Sequence, residues 1–283
     1  MKRFFLILTV VLLCFSLCSC DTILKKAKSF VTGEEESEMP NDYIATMENE
    51  QFSYEVYDSY VKLIKYIAKD AESTIVDLPD QLEGRPVTVI GALCFFETES
   101  SVTQVNISSS ITTIEENAFY YVDGITSVNI PDNVTKIGSR AFAWCNNLET
   151  VVIGSGVKQI PEFCFNHCTA LKNVSFSSEL KKINTRAFSY CEGMTEFVIP
   201  ASIEEVGDRA FDSCINLEHV YFEGMNTVIA GDILANCEKA VIIAADGSTA
   251  KAYCEENGLR WSTSKDIEAI IPGESSQVES SAA

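Results

Sequence analysis

The chain has 283 residues, with 41 acidic and 21 basic side chains, and a net charge of −20 at neutral pH. So acidic a chain argues against nucleic acid as a partner, because binding to phosphates draws its free energy from basic residues that release counterions. Hydrophobic residues make up 46% of the chain, which is enough to build a folded core.

The N-terminus has the pattern of an export signal. A basic start precedes an apolar run over residues 4–15, which is too short to cross a membrane comfortably as a helix. The four residues from Leu17 to Cys20 then resemble a bacterial lipobox, in which a peptidase cuts before a lipid-modified cysteine. Of the cysteines in this region only Cys20 follows a small residue, Ser19. We therefore predict a lipoprotein signal peptide over residues 1–19 and a membrane anchor through lipid on Cys20.

Residues 20–50 are predicted to be a flexible tether. Lys25, Lys26 and Lys28 are followed by four glutamates between positions 34 and 38. Two interpretations stay open here. The lysines lie on anionic lipid headgroups, at about 1 kcal/mol each, or the whole segment is a solvated linker.

The folded domain is predicted to cover residues 51–261 and to begin with a β-hairpin. Polar and apolar residues alternate in two pieces, residues 54–56 and residues 60–64, on either side of Asp58 and Ser59. Two alternating segments around a turn are typical of a hairpin. We expect this hairpin to cap the first coil of the repeats that follow it.

From Val105 to Ile242 the chain repeats itself every 23 residues, six times in succession. Each unit opens with a short alternating pattern, which predicts a strand with one buried face. The first buried position of this strand is held by Val105, Val128, Val151, Val174, Phe197 and Val220. Later in each unit come an aliphatic residue, a phenylalanine in all but the last unit, and a cysteine in all but the first. Units this short cannot bury so many apolar groups alone, so they must stack into a solenoid with one shared core.

The clearest unit, residues 128–150, contains Ile130-Pro131, Ile137-Gly138, Ala141-Phe142, Cys145 and Leu148. This order of residues resembles the BspA-like leucine-rich repeats, and the resemblance covers residues 75–245. It implies an α/β repeat fold, namely a right-handed solenoid with a parallel β-sheet on its concave side. It also implies a bacterial surface protein whose commonest role is binding or adhesion, in a family without shared catalytic residues.

Eight cysteines lie in the folded part, and five of them occupy one column, at one per coil: Cys145, Cys168, Cys191, Cys214 and Cys237. Side chains in such a column are parallel and about 4.8 Å apart. A disulfide needs Cβ atoms about 3.8 Å apart that turn towards each other, and zinc needs four ligands around one point. We therefore predict buried free thiols, with no metal and no other cofactor.

Catalysis is not expected. The chain has two histidines, His167 and His219. His167 occupies a variable surface position while its neighbour Cys168 points into the core, so a Cys–His nucleophile pair is not predicted. Carboxylates are numerous, but none has a spacing that selects it as a general acid or base.

The outward residues of the concave sheet are the candidate binding positions, because their types vary while the inward positions are fixed by stacking. They are Gln104, Asn106, Asn129, Thr150, Val152, Asn173, Ser175, Glu196, Val198, His219 and Tyr221. Three of them, Val152, Val198 and Tyr221, are apolar. They form a binding patch or simply follow the preference of strands for β-branched and aromatic residues; both interpretations stay open.

The C-terminal end is predicted to close with a short helix. Ser248 is a suitable N-cap, Gly258 follows the last helical position, and residues 249–257 lie between them. Residues 262–283 are rich in serine and glutamate, and we predict that they are disordered.

These features together predict an extracytoplasmic, lipid-anchored bacterial protein that binds a protein or glycan ligand at the cell surface. The alternative is a structural or scaffolding lipoprotein of the envelope without a diffusible ligand.

Overall fold

The computed structural model describes residues 40, 42–67, 74–96, 98 and 102–263. The predicted signal peptide, Cys20, most of the tether and residues 264–283 lie outside this range. The chain divides into two units, residues 1–43 and residues 44–283, and all the repeats belong to the second. Within the described part of the chain, no helix has the length and apolar character needed to cross a membrane.

The folded domain starts with a small sheet. Strand β1 (Tyr43–Glu48) neighbours β2 (Phe52–Tyr57), which pairs in antiparallel fashion with β3 (Val61–Tyr66). The predicted hairpin is therefore present as β2 and β3. Strand β1 falls inside the range that we predicted to be tether. Strand β3 then pairs in parallel with β6 (Arg85–Ile90), which joins the hairpin to the first coil.

Two columns of parallel strands run along the repeats. The long-strand face consists of β4 (Ile75–Asp77), β7 (Gln104–Asn106), β9 (Ser127–Ile130), β11 (Thr150–Ile153), β13 (Asn173–Phe176), β15 (Glu196–Ile199), β17 (His219–Phe222) and β19 (Val241–Ala244). The short-strand face continues from β6 through β8 (Thr113–Ile114), β10 (Lys136–Ile137), β12 (Gln159–Ile160), β14 (Lys182–Ile183), β16 (Glu205–Val206) and β18 (Val228–Ile229). Two further strands lie at the ends, β5 (Gln81–Leu82) against β6 and β20 (Trp261–Ser262) against β19. Val151 aligns with both Val128 and Val174, so the predicted register of 23 residues is confirmed.

The third side of each coil, which we call the turn face, contains turns where an α/β repeat would have a helix. Two residues per coil have a left-handed backbone, for example Arg140 (φ 55°) and Trp144 (φ 64°). This conformation costs a non-glycine residue on the order of 1 kcal/mol. Their N–H groups donate to the next coil, to the carbonyls of Glu162 (3.1 Å) and Asn166 (2.8 Å). The strained backbone is thus held in place by hydrogen bonds between coils.

The predicted α/β class is only partly confirmed. The parallel sheets and the stacked repeats are as predicted, but the described residues contain one helix, α1 (Thr249–Asn257), and it lies after the repeats. Its N-cap is Ser248, whose hydroxyl accepts from the Lys251 N–H, and Gly258 ends it with a φ of 65°. The helix therefore has the bounds and caps that the sequence predicted.

Both strand columns are interrupted once. On the short-strand face β10 and β12 belong to different sheets. Gly138 and Asn184 each donate a backbone N–H to the preceding coil, whereas the position between them is Pro161, which has no N–H to give. Gly138, at the corresponding position one coil earlier, is required for space. A Cβ there would clash with the backbone nitrogen of Glu116.

On the long-strand face the sheet ends at β13 and a new one begins at β15. The interruption falls where two phenylalanines meet, Phe176 of β13 and Phe197 of β15, with ring centroids 6.1 Å apart. Most equivalent positions in the neighbouring coils hold the smaller valine or isoleucine. Val174 and Phe176 are only half-buried, while the corresponding residues of β9, β11, β15 and β17 are buried.

The core is a continuous stack of rings with a column of thiols beside it. The stacked rings are those of Phe95, Phe119, Phe142, Phe165, Phe188 and Phe211. All eight cysteines from Cys94 to Cys254 are free and buried, as we predicted. The five column thiols also donate hydrogen bonds to phenylalanine carbonyls of the preceding coil, such as Cys191 Sγ to Phe165 O at 3.2 Å. These sulfurs thus have a polar role that we did not predict.

Candidate functional site

All eleven predicted binding residues lie on the long-strand face. Eight of their side chains are exposed, and Thr150, His219 and Tyr221 are partly exposed. They follow two columns, and within each of the two sheets the strands pair in register; Thr150 is opposite Asn173, and Val198 is opposite Tyr221. Each coil adds about 4.8 Å along a column. The face therefore presents a regular array of side chains whose types differ between its two halves.

The N-terminal half of the face is polar and contains a depression. Strands β7 and β9 pair only at Gln104 and Ser127. The depression has a volume of about 250 Å³ and is lined by Gln104, Val105, Asn106, Ile107, Ser127 and Asn129. Gln104 Nε2 donates to Asn106 Oδ1 (2.7 Å), and Asn106 Nδ2 donates to Asp77 Oδ1 (2.6 Å). Amides oriented in this way offer both donors and acceptors to a polar ligand.

From β11 to β17 the face carries five apolar side chains, which we call the apolar patch: Val152, Val174, Phe176, Val198 and Tyr221. Val152 is 43% exposed and Val198 is 46% exposed. The interruption between β13 and β15 adds the half-buried Val174 and Phe176, which the sequence predicted to be buried core residues. The patch is thus larger than the outward positions alone would make it.

Three carboxylates lie beside this patch. Glu196 opens β15, and Glu218 and Glu223 directly precede and follow β17; all three are exposed. Among the described residues none of the three forms an ion pair, in contrast to Glu149 on the same face, whose carboxylate is 3.2 Å from Lys172 Nζ. Burial raises the pKa of the Tyr221 hydroxyl, and the negative charge of Glu196 raises it further.

The turn face carries a second exposed feature, which the sequence analysis missed. The rings of Trp144 and His167 are stacked at 3.9 Å, and those of His167 and Tyr190 at 4.1 Å, with Tyr121 continuing the column. The signal was present in the sequence, since these residues are spaced by 23 positions. Stacking covers the ring faces and leaves the edges exposed. Burial lowers the pKa of His167, and the charge of Glu192 opposes this shift.

His167 and Cys168 do not form a nucleophile pair. His167 Nδ1 is 2.8 Å from Asn166 Oδ1, while Cys168 Sγ donates to the carbonyl of Phe142 inside the core. Burial raises the pKa of Cys168 well above its ordinary value, so its thiolate is disfavoured. Within the described ranges, no group of three or more His, Cys, Asp or Glu side chains is placed to hold a metal ion.

The repeats match a known family. Residues 112–241 match the model of the BspA type leucine rich repeat region in six copies. A search of curated proteins found no match.

Several solved structures are similar to the chain. A leucine rich cell surface protein from Faecalibacterium prausnitzii is 25% identical, with a TM-score of 0.49, over 65% of this chain and 56% of that one. The leucine rich repeat protein of T. pallidum is 21% identical, with a TM-score of 0.47, over 77% of this chain and 98% of that one. The pneumococcal vaccine antigen PcpA is 19% identical, with a TM-score of 0.51, over 63% of this chain and 50% of that one.

The similarity to PcpA concerns the fold, and this chain spans only about half of that protein and 56% of the F. prausnitzii protein. The family match covers the six coils whose strand register and core columns are described above. Residues 112–241 of this chain therefore form a BspA-type leucine-rich repeat region.

Proposed function

We propose that this chain is an extracytoplasmic, lipid-anchored bacterial protein that binds a protein or glycan partner through its long-strand face. The observation that carries this proposal is the contrast between the two sides of each long strand. The inward columns are nearly uniform from coil to coil, whereas the outward columns begin with polar amides and later include the apolar side chains of Val152, Val198 and Tyr221. Exposed apolar patches beside polar side chains are typical of binding surfaces.

The repeat architecture supports a role in binding. Stacked coils hold the outward side chains at fixed spacing, so little conformational freedom is lost when a partner binds. The proposed anchor rests on the lipobox-like residues before Cys20. Two acyl chains at this cysteine would make membrane attachment stable. A tethered repeat domain with an open face is suited to adhesion or ligand capture outside the cell.

The proposal is tested with a double variant, Val198→Asp and Tyr221→Asp, in binding assays against matrix proteins, glycan arrays and envelope components. Both residues alternate with buried neighbours, so the variant should stay folded. Anchors of this kind commonly contribute about 2 kcal/mol or more, so we expect the affinity for the partner to fall at least roughly tenfold. Binding to envelope components alone would favour the scaffolding role.

The matched control is the double variant Ile215→Asp and Val228→Asp. These residues are 48% and 61% exposed and lie outside the long-strand face. The control adds the same charge to the same number of exposed apolar positions and should bind normally. Equal loss of binding in both variants, or no loss in the first, would place the binding surface elsewhere.

A further inference from the structure

We infer that the apolar patch and its three carboxylates bind a cationic polypeptide segment that carries apolar anchor residues. This inference rests on the proposed function, since it names the partner of the same face. It assigns the contact to the C-terminal half of that face, around the interruption between β13 and β15.

The interruption provides the apolar contact. Strand β13 pairs with β11 and β15 pairs with β17, while the coils remain joined on their other sides; Gly193 N–H donates to Thr169 O at 2.7 Å across this step. The strands have therefore lost their mutual pairing without separation of the coils. Phe176, whose ring centroid is 6.1 Å from that of Phe197, is left half-buried, and Val198 of β15 is exposed. An apolar side chain placed on this step would remove both from water, which is favourable at about 25 cal/mol per Å².

The three carboxylates indicate that the partner is positively charged. Glu196 lies two residues before Val198 and Glu223 two residues after Tyr221, so both alternate onto the outward side of the strands. Glu218 directly precedes β17 and is also exposed. None of the three has an ion-pair partner in the part of the chain that the structure describes. The chain as a whole has a net charge of −20, which adds long-range attraction for cations and repulsion for anions.

Charge also distinguishes the two halves of the face. The depression between β7 and β9 is lined by amide, hydroxyl and aliphatic side chains without charge. Lys172, the cation nearest in sequence to the patch on this face, is paired with Glu149. One carboxylate, that of Asp77, lies next to the depression, where it accepts a hydrogen bond from Asn106 Nδ2. A cationic segment therefore gains more electrostatic free energy beside the three carboxylates of the C-terminal half. A neutral glycan would leave the carboxylates unused, and an acidic segment would be repelled.

The test uses the purified full-length chain and three fluorescently labelled peptides. The probe has the sequence Lys-Ser-Leu-Ser-Phe-Ser-Lys, in which the lysines and apolar residues share one side when the peptide is extended. One comparison peptide replaces Leu and Phe with Ser, and the other replaces both Lys with Glu. Fluorescence anisotropy gives the affinities at low (about 20 mM) and high (about 0.5 M) salt, where screening lengths differ several-fold. We expect the probe to bind more tightly than either comparison peptide, and less tightly at high salt.

Two protein variants localise the contact. The triple variant Glu196→Gln, Glu218→Gln and Glu223→Gln should weaken probe binding roughly tenfold at low salt, with little effect at high salt. The variant with Val198→Asp and Tyr221→Asp should lose the preference for Leu and Phe over Ser. The control with Ile215→Asp and Val228→Asp should bind the probe as the native chain does.

Absence of probe binding, equal binding of the acidic peptide, or unchanged affinity in the triple variant would overturn this inference. The proposed function would survive those outcomes if a matrix, glycan or envelope partner still lost affinity with Val198→Asp and Tyr221→Asp. If no such partner lost affinity with that double variant, the proposed function itself would be overturned, so the two failures are distinguishable.

Discussion

The buried cysteines of the column have two roles: they pack in the core, and their thiols donate hydrogen bonds to carbonyls. Spacing by 23 residues predicted that the thiols of the column are parallel and unpaired. The hydrogen bond from each Sγ to a carbonyl one coil back depends on how successive coils are offset, and the spacing alone does not specify that offset. Val122 holds the same column position in its coil, which shows that packing is the shared requirement.

The state of the thiols is open to direct measurement. Burial raises the pKa of Cys145 to about 12 and that of Cys254 to about 11, so few thiolates form at neutral pH. We expect the eight cysteines from Cys94 to Cys254 to react slowly with a thiol reagent in the native protein and completely after denaturation. A count near zero in denaturant without reductant would mean that the column is oxidised.

His167 provides a second measurement at the level of one residue. Its pKa is lowered from 6.5 by burial between Trp144 and Tyr190, so the unfolded chain binds the proton more readily. Stability attributable to the neutral ring should therefore be present above about pH 6.5 and be lost as the pH falls through the folded-state pKa. An NMR titration of the imidazole should give a midpoint below 6.5. A higher midpoint would show that attraction of the cation to the two rings outweighs burial.

Strands were more predictable than the third side of the coil. Period-two alternation identified the long strands, and the repeat spacing set their register, because a slip of one residue would turn every apolar side chain outwards. The sequence predicted no conformation for the turn face. After the two strands of each coil the chain closes through left-handed residues such as Arg140 and Trp144, and nothing in their side chains signals this backbone conformation.

The candidate site was predicted only in part from the sequence. Alternation placed Val152, Val198 and Tyr221 on the outside of the strands, where the structure has them. The exposure of Val174 and Phe176 was not foreseen, because it results from a broken strand pairing and not from their own positions in the pattern. The interruption between β10 and β12 is different, because it can be read from the sequence. Proline has no N–H, so Pro161 cannot make the strand hydrogen bond at this position.

The ring stack at the centre of the coils gives a prediction at the level of the element. Phe188 is fully buried between Phe165 and Phe211, with ring centroids 5.4 Å and 5.7 Å away. Phe188→Ala should lower the free energy of unfolding by about 3 to 5 kcal/mol, because it leaves a cavity in the shared core. Urea denaturation measures the change. Phe163→Ala, at a half-buried ring on the turn face, is the control and should cost clearly less.

The prediction for the whole molecule concerns its attachment to the membrane. Cys20→Ala should abolish incorporation of a labelled fatty acid and shift the protein from the membrane fraction, because Cys20 is the one cysteine of residues 1–20 that is preceded by a small residue. Cys14→Ala removes another thiol of the signal region and leaves the four lipobox-like residues unchanged, so this variant should keep the label. Label retained on the Cys20 variant would contradict the lipoprotein assignment, and binding by the repeats would then have to be explained without an anchor.

The hydrogen bonds of the turn face have an electrical consequence for the molecule. Along this side the N–H groups of Arg140, Phe142 and Trp144 all donate towards the following coil, and their counterparts in the neighbouring coils do the same. Each such peptide unit carries a dipole of about 3.5 D, and units aligned in one direction add together, as they do in an α-helix. Strand dipoles largely cancel in a sheet. The turn face therefore has a polarity that grows with the number of repeats, with its positive end towards the C-terminal coil.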